Sequence, residues 1–309
     1  MMQHLEKTEN TVCQWLRGID TALLRAVAAA AAVCMLLAHG FAFTNLFPNH
    51  DSTVLVYDAQ WTMYVLGRWA QNFYFPLVRG KIAAPWLIGA FSTVYLALTG
   101  YIIARLLYLR RWSAVLLTGL LGTCASVTAQ LATYTYETDA YMLAMLLACT
   151  AVWCTEKLPR VWGMICAAGC LCVSLALYQS YIQFAVGLYL LVLLQRALQD
   201  TAWRIWLQQG LRALAALALG AVVYVVSLKI SLALTGYQLA DTGNGLAQML
   251  RLGPAAVLTA IPAAYADFLK TLLGYSGWND RGMRMATALL LAMTCLLYTS
   301  PSPRDRQKS

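Results

Sequence analysis

Residues 22–44 read ALLRAVAAAAAVCMLLAHGFAFT, an apolar run in which Arg25 is the only Lys, Arg, Asp or Glu. About 20 consecutive apolar residues are enough for an α-helix to cross the hydrocarbon core of a bilayer. The run is too long and begins too late for a cleaved signal peptide, and no small-residue cleavage pattern follows it. We therefore predict a membrane-spanning helix.

Six further apolar runs follow along the chain. They cover residues 83–107, 113–133, 140–155, 161–178, 181–197 and 212–234. The 309 residues are 61% hydrophobic and 11% charged, with a mean hydropathy of +0.61, whereas about 25% of the residues of a soluble domain are charged. The net charge is +9, but the basic residues are spaced singly, which excludes a nucleic-acid-binding chain. We predict an all-α polytopic transmembrane helical bundle with seven spans, and up to nine if 254–273 and 285–298 also cross.

The distribution of basic residues predicts the orientation of the chain. With the N-terminus cytoplasmic, the inner side receives Lys7, Arg17, Arg25, Arg105, Arg110, Arg111, Lys157, Arg160, Arg196, Arg204 and Arg212. The outer side then holds Arg68, Arg79, Lys81 and Arg251. This asymmetry favours an inside N-terminus. The same assignment places the acidic residues Asp51, Asp58, Glu137, Asp139 and Asp241 on the outer face.

The two ends of the chain differ from the apolar body. Residues 1–21 carry apolar side chains at helical spacing, which predicts an amphipathic helix on the cytoplasmic surface. Residues 299–309, TSPSPRDRQKS, follow an abrupt end to the apolar sequence and resemble translated sequencing-adapter read-through. We expect this tail to be non-native, and residues 22–298 to be a membrane domain truncated at its C-terminus. A genuine polar tail is the alternative.

The connection at 45–82 is the first place to look for chemistry, because irregular loops longer than about 12–15 residues are usually functional. It opens with Asn49, His50 and Asp51, just where the first helix leaves the bilayer. A partly desolvated carboxylate has a raised pKa and is a better proton acceptor. Asp51 therefore has the best claim to catalysis, although on composition alone a solvated loop aspartate is the default.

The same loop contains an aromatic stretch after Asp58. Trp61, Val65 and Trp69 are spaced four residues apart, which predicts one apolar face of a helix lying on the outer membrane surface. Arg68 lies beside that face. Anchoring at headgroup level is an equally good account of the aromatic residues.

Four later residues are candidates for binding a polar substrate. Glu137 and Asp139 form a second outer acidic cluster among tyrosines, a setting suited to sugars, although Asp139 is equally well placed to cap the fourth span. Tyr178 and Gln179 make a polar turn between two apolar helices, and a plain hairpin is the alternative.

Two ionisable residues lie inside predicted spans. Lys229 is a functional hypothesis by default, although snorkelling toward the interface also explains it. For His39 we expect a hydrogen bond between helices. The cysteines, including Cys166, Cys170 and Cys172, lie in or beside apolar stretches without neighbouring ligands and are expected to be packing residues.

The order of these motifs resembles that of the polytopic glycosyltransferases of the GT-C class. More narrowly, it resembles the membrane glucosyltransferases that modify bacterial O-antigen, the serotype-converting type. The likeness covers about residues 20–235 and rests on four short motifs on the predicted outer face. They are Asn49-His50-Asp51-Ser52, Gly67-Arg68-Trp69, Tyr136-Glu137-Thr138-Asp139-Ala140-Tyr141 and Tyr178-Gln179-Ser180.

The resemblance implies a membrane glycosyltransferase in the bacterial cytoplasmic membrane. It would move a hexose, most simply glucose, from a polyprenyl-phosphate donor to a surface glycan on the outer face, with Asp51 as general base. Arg68, Arg79 and Lys81 are the cations available for the departing phosphate, or alternatively for lipid headgroups. The other substrate-binding candidates are Asn49, His50, Asp58, Trp69, Glu137, Asp139, Tyr178, Gln179 and Lys229.

The motifs require neither a nucleotide nor a metal, although the outer carboxylates are numerous enough to bind a divalent ion. The expected partners are the lipid-linked sugar, the acceptor glycan and membrane lipid, with no nucleic acid. A transporter or flippase of a lipid-linked or small polar substrate, with Lys229 and His39 lining its path, is the competing hypothesis. Transporters usually carry repeated halves, and no repeat is evident in this sequence.

Overall fold

The computed structural model describes residues 18–46, 60–80, 84–199, 202–240 and 254–272, together with residues 285, 288, 289 and 292. All regular elements in these residues are helical. The chain divides into two compact units, residues 1–240 and 241–309.

The first unit contains ten α-helices and two short 3-10 turns in its described residues. The helices are α1 Thr21–Thr44, α2 Gln60–Val65, α3 Gln71–Val78, α4 Pro85–Leu106, α5 Arg111–Thr123, α6 Ala125–Tyr134, α7 Thr138–Lys157, α8 Arg160–Leu177, α9 Ile182–Ala197 and α10 Trp203–Thr235. The 3-10 turns are Thr135–Glu137, before α7, and Gln179–Tyr181, before α9. The second unit contributes α11, Pro254–Leu272, with Pro262 inside it.

Six described helical segments are long and apolar enough to cross a membrane. They are Thr21–Thr44, Pro85–Leu106, Arg111–Lys157, Arg160–Leu177, Gln179–Ala197 and Trp203–Thr235. Five of them correspond to single predicted spans, and α11 is not among them. The predicted spans 113–133 and 140–155 both lie in the 47-residue segment Arg111–Lys157. The all-α polytopic bundle predicted from the sequence is confirmed.

The 47-residue segment starts and finishes at the same end of the bundle. Lys157, its last residue, donates a hydrogen bond to the hydroxyl of Tyr108, which lies three residues before the segment begins. The segment therefore runs out through α5 and α6 and back through α7. Because this segment accounts for two passes and the other five segments for one each, the described residues make seven passes.

The same contacts define the two ends of the bundle. At one end, here called the basic end, Arg196 pairs with Glu156, and Gln195 donates to the carbonyl of Leu107. At the opposite end, here called the site end, α7 begins with Glu137 and Asp139 close by. Successive passes alternate between these ends.

The outward pass is broken at Cys124, between α5 and α6. A helix end leaves carbonyl groups without intrahelical partners, and here nearby side chains supply the missing donors. Thr123 donates to the carbonyl of Gly119 at 2.9 Å, and Cys124 to that of Leu121 at 3.4 Å. His39 on α1 donates from Nε2 to the carbonyl of Gly122 at 2.9 Å. The interhelical hydrogen bond predicted for His39 is therefore confirmed.

Helix α7 is the most enclosed of the passes, with thirteen buried residues. It packs against α4, α8 and α9. Close approach elsewhere depends on small residues, because a side chain would separate the helix backbones. A Cβ placed on Gly220 of α10 would lie 2.5 Å from the Cβ of Leu171 on α8. The site end is thus built around the N-terminus of a rigidly held central helix.

The loop after α1 differs from the single interfacial helix predicted there. Its helix ends at Val65, and Gly67 takes a left-handed conformation with φ +76°. Trp69 lies beyond this turn, so it does not continue the face begun at Trp61 and Val65. A second short helix, α3, starts at Gln71. The spacing rule fails because the helix stops at a left-handed glycine, and the next residue, Arg68, contacts Tyr141 of α7.

Most of the predicted N-terminal amphipathic helix and all of the C-terminal tail fall outside the described residues. Asp20, near the end of the N-terminal segment, caps α1 by accepting a hydrogen bond from the backbone N–H of Leu23 at 2.9 Å. The predicted ninth span, 285–298, is described only at isolated positions.

Candidate active site

Two arginine–carboxylate pairs join the loop region to the start of α7. Arg68 lies 2.8 Å from Glu137, and Arg79 lies 2.9 Å from Asp139. Each pair joins residues that are at least 60 positions apart in the chain. The sequence places all four residues on the predicted outer face, and the structure brings them together at the site end.

Three different side chains donate hydrogen bonds to the carboxylate of Glu137. Its Oε2 accepts hydrogen bonds from Arg68, from Gln71 at 3.2 Å and from the hydroxyl of Tyr141. The side chain of Glu137 is 4% exposed and that of Arg68 is 15% exposed. This carboxylate is therefore held in one position by three donors, near the surface of the bundle.

Asp139 lies deeper, where neither it nor Arg79 has any exposed side-chain area. Its Oδ2 accepts from Arg79 Nε and, at 3.1 Å, from the hydroxyl of Tyr74. The Arg79 guanidinium also donates to the carbonyl of Tyr136 and stacks on the ring of Phe75. Asp139 is thus an ion-pair partner, and the N-cap position of α7 belongs to Glu137, which makes no side-chain cap hydrogen bond.

The environment of these pairs shifts two pKa values outside the spanning segments. Burial, followed by the charge of Asp139, raises the pKa of Tyr74 far above its ordinary value. Burial alone would lower the pKa of Arg68, but Tyr141 and Glu137 outweigh it and raise the pKa. Tyr74 is therefore a neutral hydroxyl donor, and Arg68 is charged at every physiological pH.

Tyrosine rings surround the Arg68 pair. The Arg68 guanidinium lies 4.5 Å from the ring centroid of Tyr178, and the rings of Tyr178 and Tyr141 are 4.3 Å apart. Arginine over a tyrosine face gains cation–π attraction. Tyr178 is half-buried, so part of its ring is available to another molecule.

The turn at residues 66–70 and Gln71 beside it are tied to α8, to the 3-10 turn before α9 and to α10. Gln179 donates from Nε2 to the carbonyl of Leu66 at 2.9 Å, and Tyr224 on α10 donates to the carbonyl of Gly67 at 3.0 Å. The side-chain amide of Gln71 donates to the carbonyl of Leu177 at 2.8 Å. These bonds fix the backbone that carries Arg68.

Six of the predicted site residues therefore converge. They are Arg68, Arg79, Glu137, Asp139, Tyr178 and Gln179. Trp69 lies beside them, half-buried, with its ring edge against Phe73 at 6.1 Å. Lys229 lies on an exposed face of α10 and, within the described part of the chain, forms no hydrogen bond or ion pair with the converging residues. Asn49, His50, Asp51, Asp58 and Lys81 lie outside the described residues.

Three residues of this cluster were not predicted from the sequence. Gln71 contacts Glu137, Tyr74 contacts Asp139, and Tyr224 supports the turn. The available signal was weak. Gln71 follows Arg68 by three residues, and Tyr224 is a lone hydroxyl in an otherwise apolar stretch of a span.

In the described part of the chain, no three His, Cys, Asp or Glu side chains are grouped so that they could hold a metal ion. Glu137 and Asp139 are each engaged with an arginine. The described cysteines are free thiols.

Comparison with known proteins identifies a family. The family model described as Glucosyl transferase GtrII matches residues 40–308, which cover most of the chain. No curated protein and no solved structure matches the chain. The matched range includes the loop after α1, all of the paired residues and α10, so the site end lies within it. The chain therefore belongs to the GtrII glucosyl transferase family.

Proposed function

We propose that this multi-pass membrane glucosyltransferase takes its sugar from a polyprenyl phosphate. The acceptor is a surface glycan such as O-antigen, on the outer face of the bacterial cytoplasmic membrane. The donor, the acceptor and the membrane face go beyond the family assignment. A lipid-linked donor fits a chain whose polar groups meet at one end of an apolar bundle.

The chemistry we propose is a single inverting displacement. Asp51 takes the proton of an acceptor hydroxyl, and the hydroxyl oxygen forms a bond to the anomeric carbon of the donor sugar. The bond between that carbon and the phosphate oxygen breaks, and the electron pair leaves with the lipid phosphate. General-base assistance of this kind contributes about 10²–10⁴-fold to a rate.

The observation that supports the proposal best is the convergence of Arg68, Glu137 and Tyr178 at the site end. Carboxylate oxygens and exposed aromatic faces are the groups that sugars contact. Asp51 lies in the same loop as Arg68, on the N-terminal side of it, so the proposed base and this cluster belong to one connection.

Positive charge is needed beside the departing phosphate. Arg68 and Arg79 each have a carboxylate partner, which neutralises them within the cluster. Of the three predicted cations we therefore assign the phosphate to Lys81. The orientation we propose, with the N-terminus cytoplasmic, is supported by the basic residues Arg105, Lys157 and Arg196 at the opposite end.

The proposal is tested with membranes that contain the protein, radiolabelled polyprenyl-phosphate glucose and an acceptor glycan. We expect transfer by the wild type and at least about a 100-fold lower rate for Asp51→Asn. The matched control is Asp267→Asn, which removes an exposed carboxylate of α11 and should transfer at the wild-type rate. Equal transfer by wild type and Asp51→Asn would refute the role of Asp51. Movement of the lipid-linked sugar across the membrane without transfer would support the transporter instead.

A further inference from the structure

The paired cluster at the site end carries no net charge. Arg68 and Arg79 are balanced by Glu137 and Asp139. A phosphate group brings negative charge and is held best by an excess of cations. A neutral cluster with fixed donors and acceptors suits an uncharged polyhydroxyl ligand better.

The two oxygens of Glu137 differ in their surroundings. All three hydrogen bonds from Arg68, Gln71 and Tyr141 go to Oε2. Oε1 accepts none from the described residues, and it is not among the enclosed polar atoms of the site. One oxygen thus fixes the carboxylate, and the other remains available to a hydroxyl.

Gln71 offers a second acceptor next to Glu137. Its amide nitrogen donates to Glu137 and to the carbonyl of Leu177, which fixes the orientation of the amide because both partners can only accept. The amide oxygen is then fully buried and has no partner in the described part of the chain. A buried acceptor without a donor is unfavourable, so this atom indicates a donor absent from the chain itself.

The remaining features of the cluster suit a pyranose ring. Nε of Arg68 is an enclosed donor without a partner among the described residues. The half-buried ring of Tyr178 lies 4.5 Å from the Arg68 guanidinium and provides an apolar face. Acceptors, a donor and an aromatic ring therefore lie within one small region.

We propose that Glu137 and Gln71 are specificity-determining residues that accept hydrogen bonds from hydroxyl groups of the transferred hexose. Arg68 and Tyr141 act as positioning residues that hold the Glu137 carboxylate. This inference rests on the proposed function, and it assigns the Arg68 pair to the sugar and not to the phosphate.

The test measures kcat/KM with polyprenyl-phosphate glucose and with a set of donors that each lack one hydroxyl. For the wild type, we expect loss of the hydroxyl bound by Glu137 to lower kcat/KM by about 10- to 100-fold, the range for a hydrogen bond to a charged group. The ratio of kcat/KM for the natural donor to kcat/KM for the deoxygenated donor should fall several-fold in Glu137→Gln. The reason is that this variant offers no charged acceptor to the hydroxyl, so removing the hydroxyl costs less. Gln71→Met keeps the Arg68–Glu137 pair and should lose discrimination at one hydroxyl by about 2- to 10-fold.

Asp267→Asn is the matched control, because it alters an exposed carboxylate of α11 that belongs to neither arginine–carboxylate pair of the site. It should transfer from every donor at the wild-type rate and keep the wild-type ratios. Wild-type ratios in both Glu137→Gln and Gln71→Met would overturn the subsite while leaving the transferase function intact.

Binding of methyl glucoside and its deoxygenated analogues, followed by saturation-transfer NMR, separates the two proposals. If the wild type transfers no sugar but binds the glucoside with a hydroxyl preference that Glu137→Gln abolishes, the proposed function fails and the subsite stands. If the wild type neither transfers nor discriminates in binding, both fail.

Discussion

The guanidinium of Arg79 lies 2.9 Å from the carboxylate of Asp139, and neither side chain has any exposed area. Arg79 follows the short helix α3, whereas Asp139 lies in the first turn of the central helix α7. The pair therefore attaches the loop after α1 to the first turn of the central helix, at the site end. Both charges are removed from water, so each is stabilised in the fold mainly by the other. Loss of one partner therefore lowers the free energy of unfolding strongly.

Asp139→Asn should destabilise the protein by about 3–5 kcal/mol, because Arg79 is then left as a buried charge without its carboxylate. The double variant Arg79→Met with Asp139→Leu removes both charges and should recover much of that loss. Chemical unfolding of the purified protein in detergent measures both effects. An Asp139→Asn variant as stable as the wild type would show that the pair does not hold the loop.

Tyr74 should make stability depend on pH only in the alkaline range. Its pKa is raised in the folded protein by burial and by Asp139, so folding favours the protonated hydroxyl. That stabilisation is fully present below the pKa of an unfolded tyrosine, about 10, and is lost as the pH rises above it. The stability difference between wild type and Tyr74→Phe should stay constant up to about pH 9 and shrink above about pH 10. Thermal melting across this range checks the sign, and a difference that grew with pH would contradict it.

His39 should stabilise the break between α5 and α6. Its Nε2 donates to the carbonyl of Gly122, which the broken helix leaves without a partner. His39→Phe keeps a ring at this position but leaves that carbonyl unsatisfied, at an expected cost of about 1–3 kcal/mol. Thr123→Val, which removes an exposed hydroxyl within the same break, should cost no more than about 0.5 kcal/mol. Unfolding of both variants in detergent measures the difference in stability. Equal losses of stability would show that the hydrogen bond from His39 to Gly122 contributes no more than the exposed hydroxyl of Thr123.

The seven passes could be predicted because a bilayer requires long apolar runs, which are visible in any single sequence. The break at Cys124 could not, since no proline marks it. It depends on donors that include His39, 83 residues from the carbonyl it binds. The predicted length of the interfacial helix was wrong for a related reason. Periodicity does not reveal that Gly67 will take a left-handed conformation, or that Arg68 after it will pair with Glu137.

For the candidate site, the sequence indicated which residues lie on one face of the bundle better than it indicated how they pair. Arg68 and Glu137 were identifiable because charged residues at the edge of apolar spans are rare and expensive. Their pairing across 69 positions depends on the packing of the bundle, which the residue types alone do not specify. Gln71 was missed because an uncharged amide in a loop does not indicate a role until its partners, Glu137 and Leu177, are known.

Gly67→Ala should weaken the site more than it weakens the fold. Gly67 has φ +76°, a conformation that costs an L-residue about 1 kcal/mol, and the next residue is Arg68. A backbone that relaxes from this conformation moves Arg68 away from Glu137. Glucosyl transfer should therefore fall by more than about tenfold, a larger effect than the strain alone would produce, because tenfold corresponds to about 1.4 kcal/mol. Gly169→Ala is the matched control, because Gly169 lies in α8 with open space around it. This change should raise stability by up to about 1 kcal/mol and leave transfer unchanged. Transfer rates and unfolding midpoints of the two variants decide the point, and a Gly67→Ala enzyme with full activity would show that the turn does not position Arg68.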